Sequence, residues 1–233
     1  VYSVSKTVTA LAVGLLVGDG LLTLDDPVDA HLDLPNPHGL TVRHLLGMVT
    51  GHDREQTLAM PLTAEALLTT PLRHAPGGHF AYSSPASWVL SVLVTEITGE
   101  RVGEVVGPRV LEPLGIGARW WRRQGELDQG FSGLHLTALD LARLTHLVAD
   151  RGRWRGRQLV PAAFVDEMID DVTPVPVESM PLTTRFPWTC FRGARAQSRG
   201  AFADHALERS DFFVFSGCLV VVTVSEKPAM LWW

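Results

Sequence analysis

The chain has 233 residues, a formal net charge of −5 at pH 7, 46% hydrophobic residues and 19% charged residues. This composition is typical of a chain that folds around a hydrophobic core, and it argues against intrinsic disorder. The slightly acidic balance offers no basic surface for nucleic acid or an anionic membrane. The apolar run at residues 7–18 is shorter than the roughly 18 residues of a membrane-spanning helix. Composition therefore excludes nucleic acid as a partner and predicts no membrane span.

Helix signals dominate the first two thirds of the chain. Apolar residues at three- and four-residue spacing predict a buried helix that begins near Ser3 and ends at the GDG of residues 18–20. Capping residues followed by apolar periodicity predict six more helices over residues 41–46, 63–68, 84–99, 102–111, 138–149 and 161–169. Ser84 precedes a proline and is predicted to cap its helix, and Thr137 with Asp140 predicts a capping box.

Strand-like runs occur only near the end of the chain, at residues 188–192, 201–207, 212–215 and 219–224. Helices first and strands last predict an α+β fold and argue against a βαβ repeat. The helical region is expected over about residues 20–170 and the sheet strands over about residues 186–225. Without a repeat or a clear linker, residues 1–233 are expected to form one domain.

Several features are weak evidence of function. Cys190 and Cys218 are the only cysteines, and buried thiols, a disulfide or a reactive thiol all stay open. Arginines cluster at residues 151–157, RGRWRGR, where a solvated turn is the simpler interpretation than a binding patch. The nine histidines show no HExxH or HxH spacing, and no Gly-x-Ser-x-Gly or glycine-rich phosphate loop occurs. We therefore expect neither a metal nor a cofactor.

The stretch Ser3-Val4-Ser5-Lys6 is the first candidate site. Residues three apart share a helix face, so the Ser3 hydroxyl and the Lys6 amine can meet, whereas Ser5 points elsewhere. The positive end of the helix would stabilise negative charge on the serine oxygen. The chain has two lysines and 18 arginines, and an amine, unlike a guanidinium, can release its proton and act as a general base. A nucleophile with its base is therefore predicted; a helix cap beside an exposed charge is the structural alternative.

A second candidate is Tyr82, within the run PGGHFAYSSP of residues 76–85. It is one of two tyrosines and lies just before a predicted helix, after a Pro-Gly turn. A phenol near a serine and a lysine could carry protons between nucleophile and leaving group. The alternative is a packed aromatic ring with a hydrogen-bonded hydroxyl.

Together these motifs resemble the serine β-lactamase-like hydrolases, which include class C β-lactamases, D,D-peptidases, D-aminopeptidases and esterases. The resemblance extends over most of residues 1–230, notably to the esterase and 6-aminohexanoate-dimer hydrolase-like branch. It rests on SVSK, LTLDDPV, LTVRHLLGMVTGH, PGGHFAYSS, VTEITGERV, EPLGI, GFSGLHLTALDLARLTHLV and GRWRGRQLVPAAFV. It implies a mainly antiparallel sheet flanked by helices, with a helical subdomain.

The resemblance also implies an acyl-enzyme mechanism on a small ester, amide or peptide substrate. Ser3 would attack the carbonyl, Lys6 and Tyr82 would share general acid and base duty, and water would release the acyl group. The implied oxyanion hole combines the Ser3 N–H with that of Ala201, in the element that begins at Ser198 and contains Gly200.

Three departures from the family pattern are present. Ser84 stands where the family's Tyr-x-Asn motif has its amide, and Ser198 stands where the third motif has Lys or His. The family's strands before the nucleophile helix, and its closing helix, are expected to be missing. The alternative function is therefore a non-catalytic binding module or an inactive fragment on the same fold.

Overall fold

The computed structural model describes residues 1–117 and 120–170, together with the backbone of residues 211–215 and 218–222. Its helices are α1 (Ser5–Gly18), α2 (Val42–Leu46), α3 (Arg54–Ala59), α4 (Ala64–Thr69), α5 (Ser84–Thr98), α6 (Val102–Val106), α7 (Ala138–Ala149) and α8 (Ala162–Asp170). A 3₁₀ turn at Val28–Ala30 and a π-helical turn at Gly107–Leu111 lie between them.

Three antiparallel hairpins accompany the helices, so the architecture is α+β. They are β1 (Arg123–Gln124) with β2 (Leu127–Asp128), β3 (Arg153–Trp154) with β4 (Arg157–Gln158), and β5 (Asp211–Phe215) with β6 (Cys218–Val222). The β5–β6 pair confirms the two last predicted strands, with Phe215 opposite Cys218. The strands predicted over 188–192 and 201–207 lie outside the described residues.

The expectation that strands occur only near the end of the chain is wrong, because two hairpins of two-residue strands come earlier. The arginine cluster forms one of them. Arg155 and Gly156 have φ of 47° and 79°, as a two-residue hairpin turn requires, and Arg153, Arg155 and Arg157 are exposed. The solvated turn is confirmed. Strands this short carry too little alternation to be recognised from sequence.

Helix α1 lies at the centre of the core. Every residue from 5 to 16 is buried, and Leu11, Leu15 and Leu16 are among the most deeply buried side chains. A helix that is apolar all round must be covered on all sides, and α5, α6 and α8 pack against this one. This packing brings the beginning of α1 close to the beginning of α5.

Short-range capping explains where most helices begin. Thr41, Thr63 and Thr137 each accept a hydrogen bond from the backbone N–H three residues on, and Asp140 Oδ2 accepts one from the Thr137 N–H. The helices predicted at these positions are confirmed to within one or two residues. Helix α3, capped by Asp53, was not predicted.

Two predicted details are wrong. The cap of α5 is Ser83, whose Oγ accepts the Ala86 N–H at 3.0 Å, and Ser84 is the first helical residue. A proline is tolerated at the first or second position of a helix, so the Ser-Pro pair did not decide between the two serines. The helix predicted over residues 102–111 becomes a π-helical turn at Gly107, where Pro108 cannot donate an α-helical hydrogen bond.

Within residues 1–117 and 120–170, no helix is both long and apolar enough to cross a membrane.

Candidate active site

Ser3 lies in the turn that leads into α1. The Lys6 N–H donates to the Ser3 carbonyl at 3.0 Å, and the Ser5 N–H donates to the Tyr2 carbonyl at 3.1 Å, so a 3₁₀-type turn precedes the helix. The cap position is Val4, and no side chain caps this end. Ser3 is therefore not a capping residue, and its hydroxyl is free for other contacts.

The structure brings Ser3, Lys6 and Tyr82 together. Lys6 Nζ donates to Ser3 Oγ at 3.3 Å, and the Tyr82 hydroxyl donates to the same oxygen at 2.6 Å. Lys6 is only 3% exposed, so it is not a solvent-facing charge. Its Nζ lies 4.8 Å from the centre of the Tyr82 ring. We call these three residues the Ser3 cluster.

Ser5 has a different role from Ser3. Its Oγ donates to the Tyr2 carbonyl at 2.7 Å and accepts the Leu134 N–H at 3.1 Å. Both contacts are with backbone, and Ser5 is fully buried. Its hydroxyl therefore fixes the start of α1 against the chain near Leu134 and faces away from the cluster.

Tyr82 reaches the cluster because the chain before it is bound to residues 48–51. The Ala81 N–H donates to the Met48 carbonyl at 3.1 Å, and the His74 N–H donates to the Gly51 carbonyl at 2.9 Å. At Gly51, φ is 92° and a Cβ would lie 2.4 Å from the His74 carbonyl oxygen, so only glycine fits this close approach. Tyr82 itself packs against the small buried group of Met48, Val49 and Phe80.

Of the other residues that the resemblance puts at the site, the structure describes Ser84 alone. Ser84 is half-buried at the start of α5, and its Oγ makes no hydrogen bond with any member of the Ser3 cluster. Ser198, Gly200 and Ala201 lie outside the described residues.

Sequence reasoning missed the contribution of residues 128–134. Lys6 Nζ donates to the Phe131 carbonyl at 2.8 Å and lies 5.7 Å from the centre of the Phe131 ring. Gly130 and Gly133, which flank Phe131 and Ser132, have φ of 66° and 80°. Two glycines bracketing Phe-Ser are the sequence signal that could have indicated a tight backbone approach.

A separate cleft of about 610 Å³ contains an unusual carboxylate but none of the Ser3 cluster. Trp121 and Asp128 are among the residues that line it. Burial raises the pKa of Asp128, while the Gly103 N–H, which donates to Oδ2 at 2.8 Å, opposes that shift. Within the described chain, no three histidine, cysteine or acidic side chains are placed to hold a metal ion.

Comparison with known proteins identifies the class. The described helices and short antiparallel hairpins give a β-lactamase/transpeptidase-type fold. The model of the Beta-lactamase family matches residues 1–206, so the chain belongs to this family.

Solved structures of the same fold agree. A protein assigned as a 6-aminohexanoate-dimer hydrolase from Bacillus anthracis is 19% identical, with a TM-score of 0.59, and the match covers 72% of this chain and 51% of that one. A penicillin binding protein from Bacillus halodurans is 20% identical, with a TM-score of 0.57, over 72% and 63% of the chains. EstCE1, a hydrolase with promiscuous acyltransferase activity, is 20% identical, with a TM-score of 0.54, over 72% and 62%.

The match thus spans between about half and two thirds of these structures.

Proposed function

We propose that this protein is a serine hydrolase that cleaves an ester or amide bond through an acyl-enzyme intermediate on Ser3. The observation that carries the proposal is that one oxygen, Ser3 Oγ, accepts hydrogen bonds from both Tyr82, at 2.6 Å, and Lys6, at 3.3 Å. A nucleophile needs a proton acceptor within hydrogen-bonding reach, and here two candidate groups are in place.

In the proposed reaction, Ser3 Oγ attacks the substrate carbonyl carbon while its proton passes to a neutral Lys6 amine, directly or through the Tyr82 hydroxyl. The tetrahedral intermediate then expels the alcohol or amine, which takes a proton from Tyr82 as Lys6 returns one to the Tyr82 oxygen. Water then gives a proton to the same pair as it attacks the acyl-serine, and the acid leaves as the pair returns a proton to Ser3 Oγ. The two groups therefore alternate between base and acid.

The developing oxyanion needs N–H donors. Within the described chain, the Ser3 N–H donates to no backbone carbonyl, and it lies at the positive end of α1. We propose this N–H as the first donor. The Ala201 N–H, in the segment with Ser198 and Gly200, remains our proposal for the second.

We propose a small ester, amide or peptide as substrate and favour ester or amide hydrolysis over β-lactam hydrolysis. Ser84 and Ser198 occupy positions where family members acting on β-lactams carry an amide and a cation. Short hydroxyls provide weaker contacts for a substrate carboxylate. Residues 1–233 are proposed to form one hydrolase domain.

Labelling with a fluorophosphonate probe tests the proposal. The parent chain should be labelled stoichiometrically and Ser3→Ala not at all. Tyr82→Phe keeps the ring and removes the proton, so it should slow labelling by about 10²- to 10⁴-fold. The matched control is Tyr2→Phe, because Tyr2 is 79% exposed and adjoins Ser3; its labelling rate should equal that of the parent.

The rival function is a non-catalytic binding module or an inactive fragment, which the departures from the family pattern at Ser84 and Ser198 favour. Folding of each variant should be checked by circular dichroism. A parent chain that folds but is neither labelled nor able to hydrolyse p-nitrophenyl esters would favour this rival.

A further inference from the structure

Residues 128–131 form a short bridge between α5 and α1, which we call the bridging loop. Three of its carbonyls accept side-chain hydrogen bonds: Asp128 from Ser91 Oγ at 2.6 Å, Gly130 from Thr9 Oγ1 at 2.8 Å, and Phe131 from Lys6 Nζ at 2.8 Å. Ser91 and Thr9 are fully buried, so these polar groups depend on one another for partners. The loop is thereby held to both helices.

Gly130 is the point where the loop touches α5 most closely. A Cβ built at Gly130 would lie 2.8 Å from Ser91 Cβ and 3.0 Å from the Ser87 carbonyl oxygen. The Ser87 oxygen is part of the helix backbone and Ser91 Cβ is bonded to it, so neither atom can move away without distorting α5. In addition, φ at Gly130 is 66°, a conformation that residues with a Cβ rarely adopt. Any side chain here would push the loop off α5.

The Phe131 carbonyl would move with the loop, since it follows Gly130 directly. Lys6 has a flexible four-carbon stem, and this carbonyl is its second acceptor besides Ser3 Oγ. Without it, Nζ loses one of its two hydrogen-bond acceptors within the described chain. The charged ammonium form depends most on that acceptor. A hydrogen bond from a charged donor to a carbonyl oxygen is stronger than one from a neutral amine.

We propose that Gly130 is a positioning residue for Lys6: by packing directly on Ser87 and Ser91, it places the Phe131 carbonyl where it holds Nζ beside Ser3 Oγ. The catalytic consequence rests on the proposed hydrolase function. The structural consequence, which is where the Lys6 amine is held, does not depend on that function.

The chain is well suited to a direct measurement on Lys6. Lys6 and Lys227 are the only lysines, so protein labelled with [13Cε]lysine gives two side-chain signals, one of which serves as an internal reference. In Gly130→Ala, the Lys6 signal should move away from its parental 13Cε chemical shift and broaden, because the Phe131 carbonyl no longer holds Nζ in one place.

Gly152→Ala is the matched control. Gly152 also has a positive φ, of 78°, and its added Cβ would lie 2.3 Å from the Val160 carbonyl oxygen, next to the β3–β4 hairpin. This variant should lose comparable stability and leave the Lys6 signal unchanged. If Gly130→Ala proves too unstable, Ser91→Ala removes the Asp128 hydrogen bond without backbone strain and should shift the signal in the same direction by a smaller amount.

Fluorophosphonate labelling at a series of pH values supplies the catalytic readout. The maximal rate should fall about tenfold in Gly130→Ala, because the general base is no longer held beside Ser3, and should keep the parental value in Gly152→Ala. A Lys6 signal at the same chemical shift in all variants, or one moved equally in both glycine variants, would overturn the positioning role. Absence of labelling in the parent would instead refute the hydrolase function, and the Lys6 signal would still decide the role of Gly130.

Discussion

Lowering the pH from 7.5 to 5.5 should destabilise this protein partly through His52. This histidine follows Gly51, whose carbonyl accepts the His74 N–H and so binds the segment that leads to Tyr82. The His52 side chain is fully buried, and its Nδ1 lies 2.9 Å from Thr50 Oγ1. Burial lowers the pKa of His52, and the charge of His38 lowers it further; the Thr70 backbone and Asp53 oppose the shift. The folded protein therefore keeps this imidazole neutral at pH values where the unfolded chain protonates it.

The sign and size of the effect follow from proton linkage. Stability from the neutral imidazole is fully present above the unfolded value of about 6.5 and is lost as the pH falls through and below it. If the folded imidazole stayed neutral throughout, the loss between pH 7.5 and 5.5 would be about 1.4 kcal/mol for this one group. A partial uptake of protons by the folded protein makes this an upper limit.

Urea unfolding, followed by tryptophan fluorescence at the two pH values, measures the loss of unfolding free energy. The variant His52→Asn removes the titrating group and keeps a polar atom near Thr50. The variant should lose about 1 kcal/mol less than the parent between pH 7.5 and 5.5. His44 and His79, whose pKa values burial also lowers, remain in both proteins and cancel in the comparison. The exposed His135, as His135→Asn, is the control. An equal loss in His52→Asn and the parent would show that His52 does not drive the acid sensitivity.

Three further predictions concern other contacts. Lys6→Arg keeps a cation but removes the general base, so acylation should fall by about 10²- to 10⁴-fold while circular dichroism stays unchanged; near-parental hydrolysis of p-nitrophenyl esters would contradict the role of the amine. Gly14→Ala places a Cβ 2.5 Å from Phe164 Cδ1 and should lower the unfolding free energy by about 1–3 kcal/mol. Gly107→Ala, whose Cβ would have nothing within 4 Å, should leave the unfolding free energy unchanged or raise it. Equal urea midpoints for the two variants would refute this packing argument. Asp128→Asn keeps a side-chain oxygen for the Gly103 N–H and removes a carboxylate whose pKa burial raises, so stability at pH 7 should be unchanged or higher. Asp128→Ala leaves that N–H without its acceptor and should lose about 1–3 kcal/mol of stability. Urea unfolding of both variants checks the order.

Local signals predicted most of the helices and the pairing of Ser3 with Lys6 in the candidate site. Caps such as Thr41 and Thr137 act over three residues, so their effect can be read from the chain directly. The same holds for Ser3 and Lys6, because one helical turn places their side chains on the same face. Where two local solutions are almost equal, as for Ser83 and Ser84 before a proline, the pattern chose the wrong one.

Contacts between distant parts of the chain required the tertiary structure. Tyr82 is 79 residues from Ser3, and the Phe131 carbonyl is 125 residues from Lys6. Both reach the cluster only because α1 packs against α5 and because glycines allow close backbone approach at Gly51 and Gly130. The sequence by itself determined that a serine and a lysine share a helix face. The packing of that helix decided how the predicted Tyr82 contacts Ser3 and which carbonyl binds Lys6, because such contacts depend on the fit of whole elements.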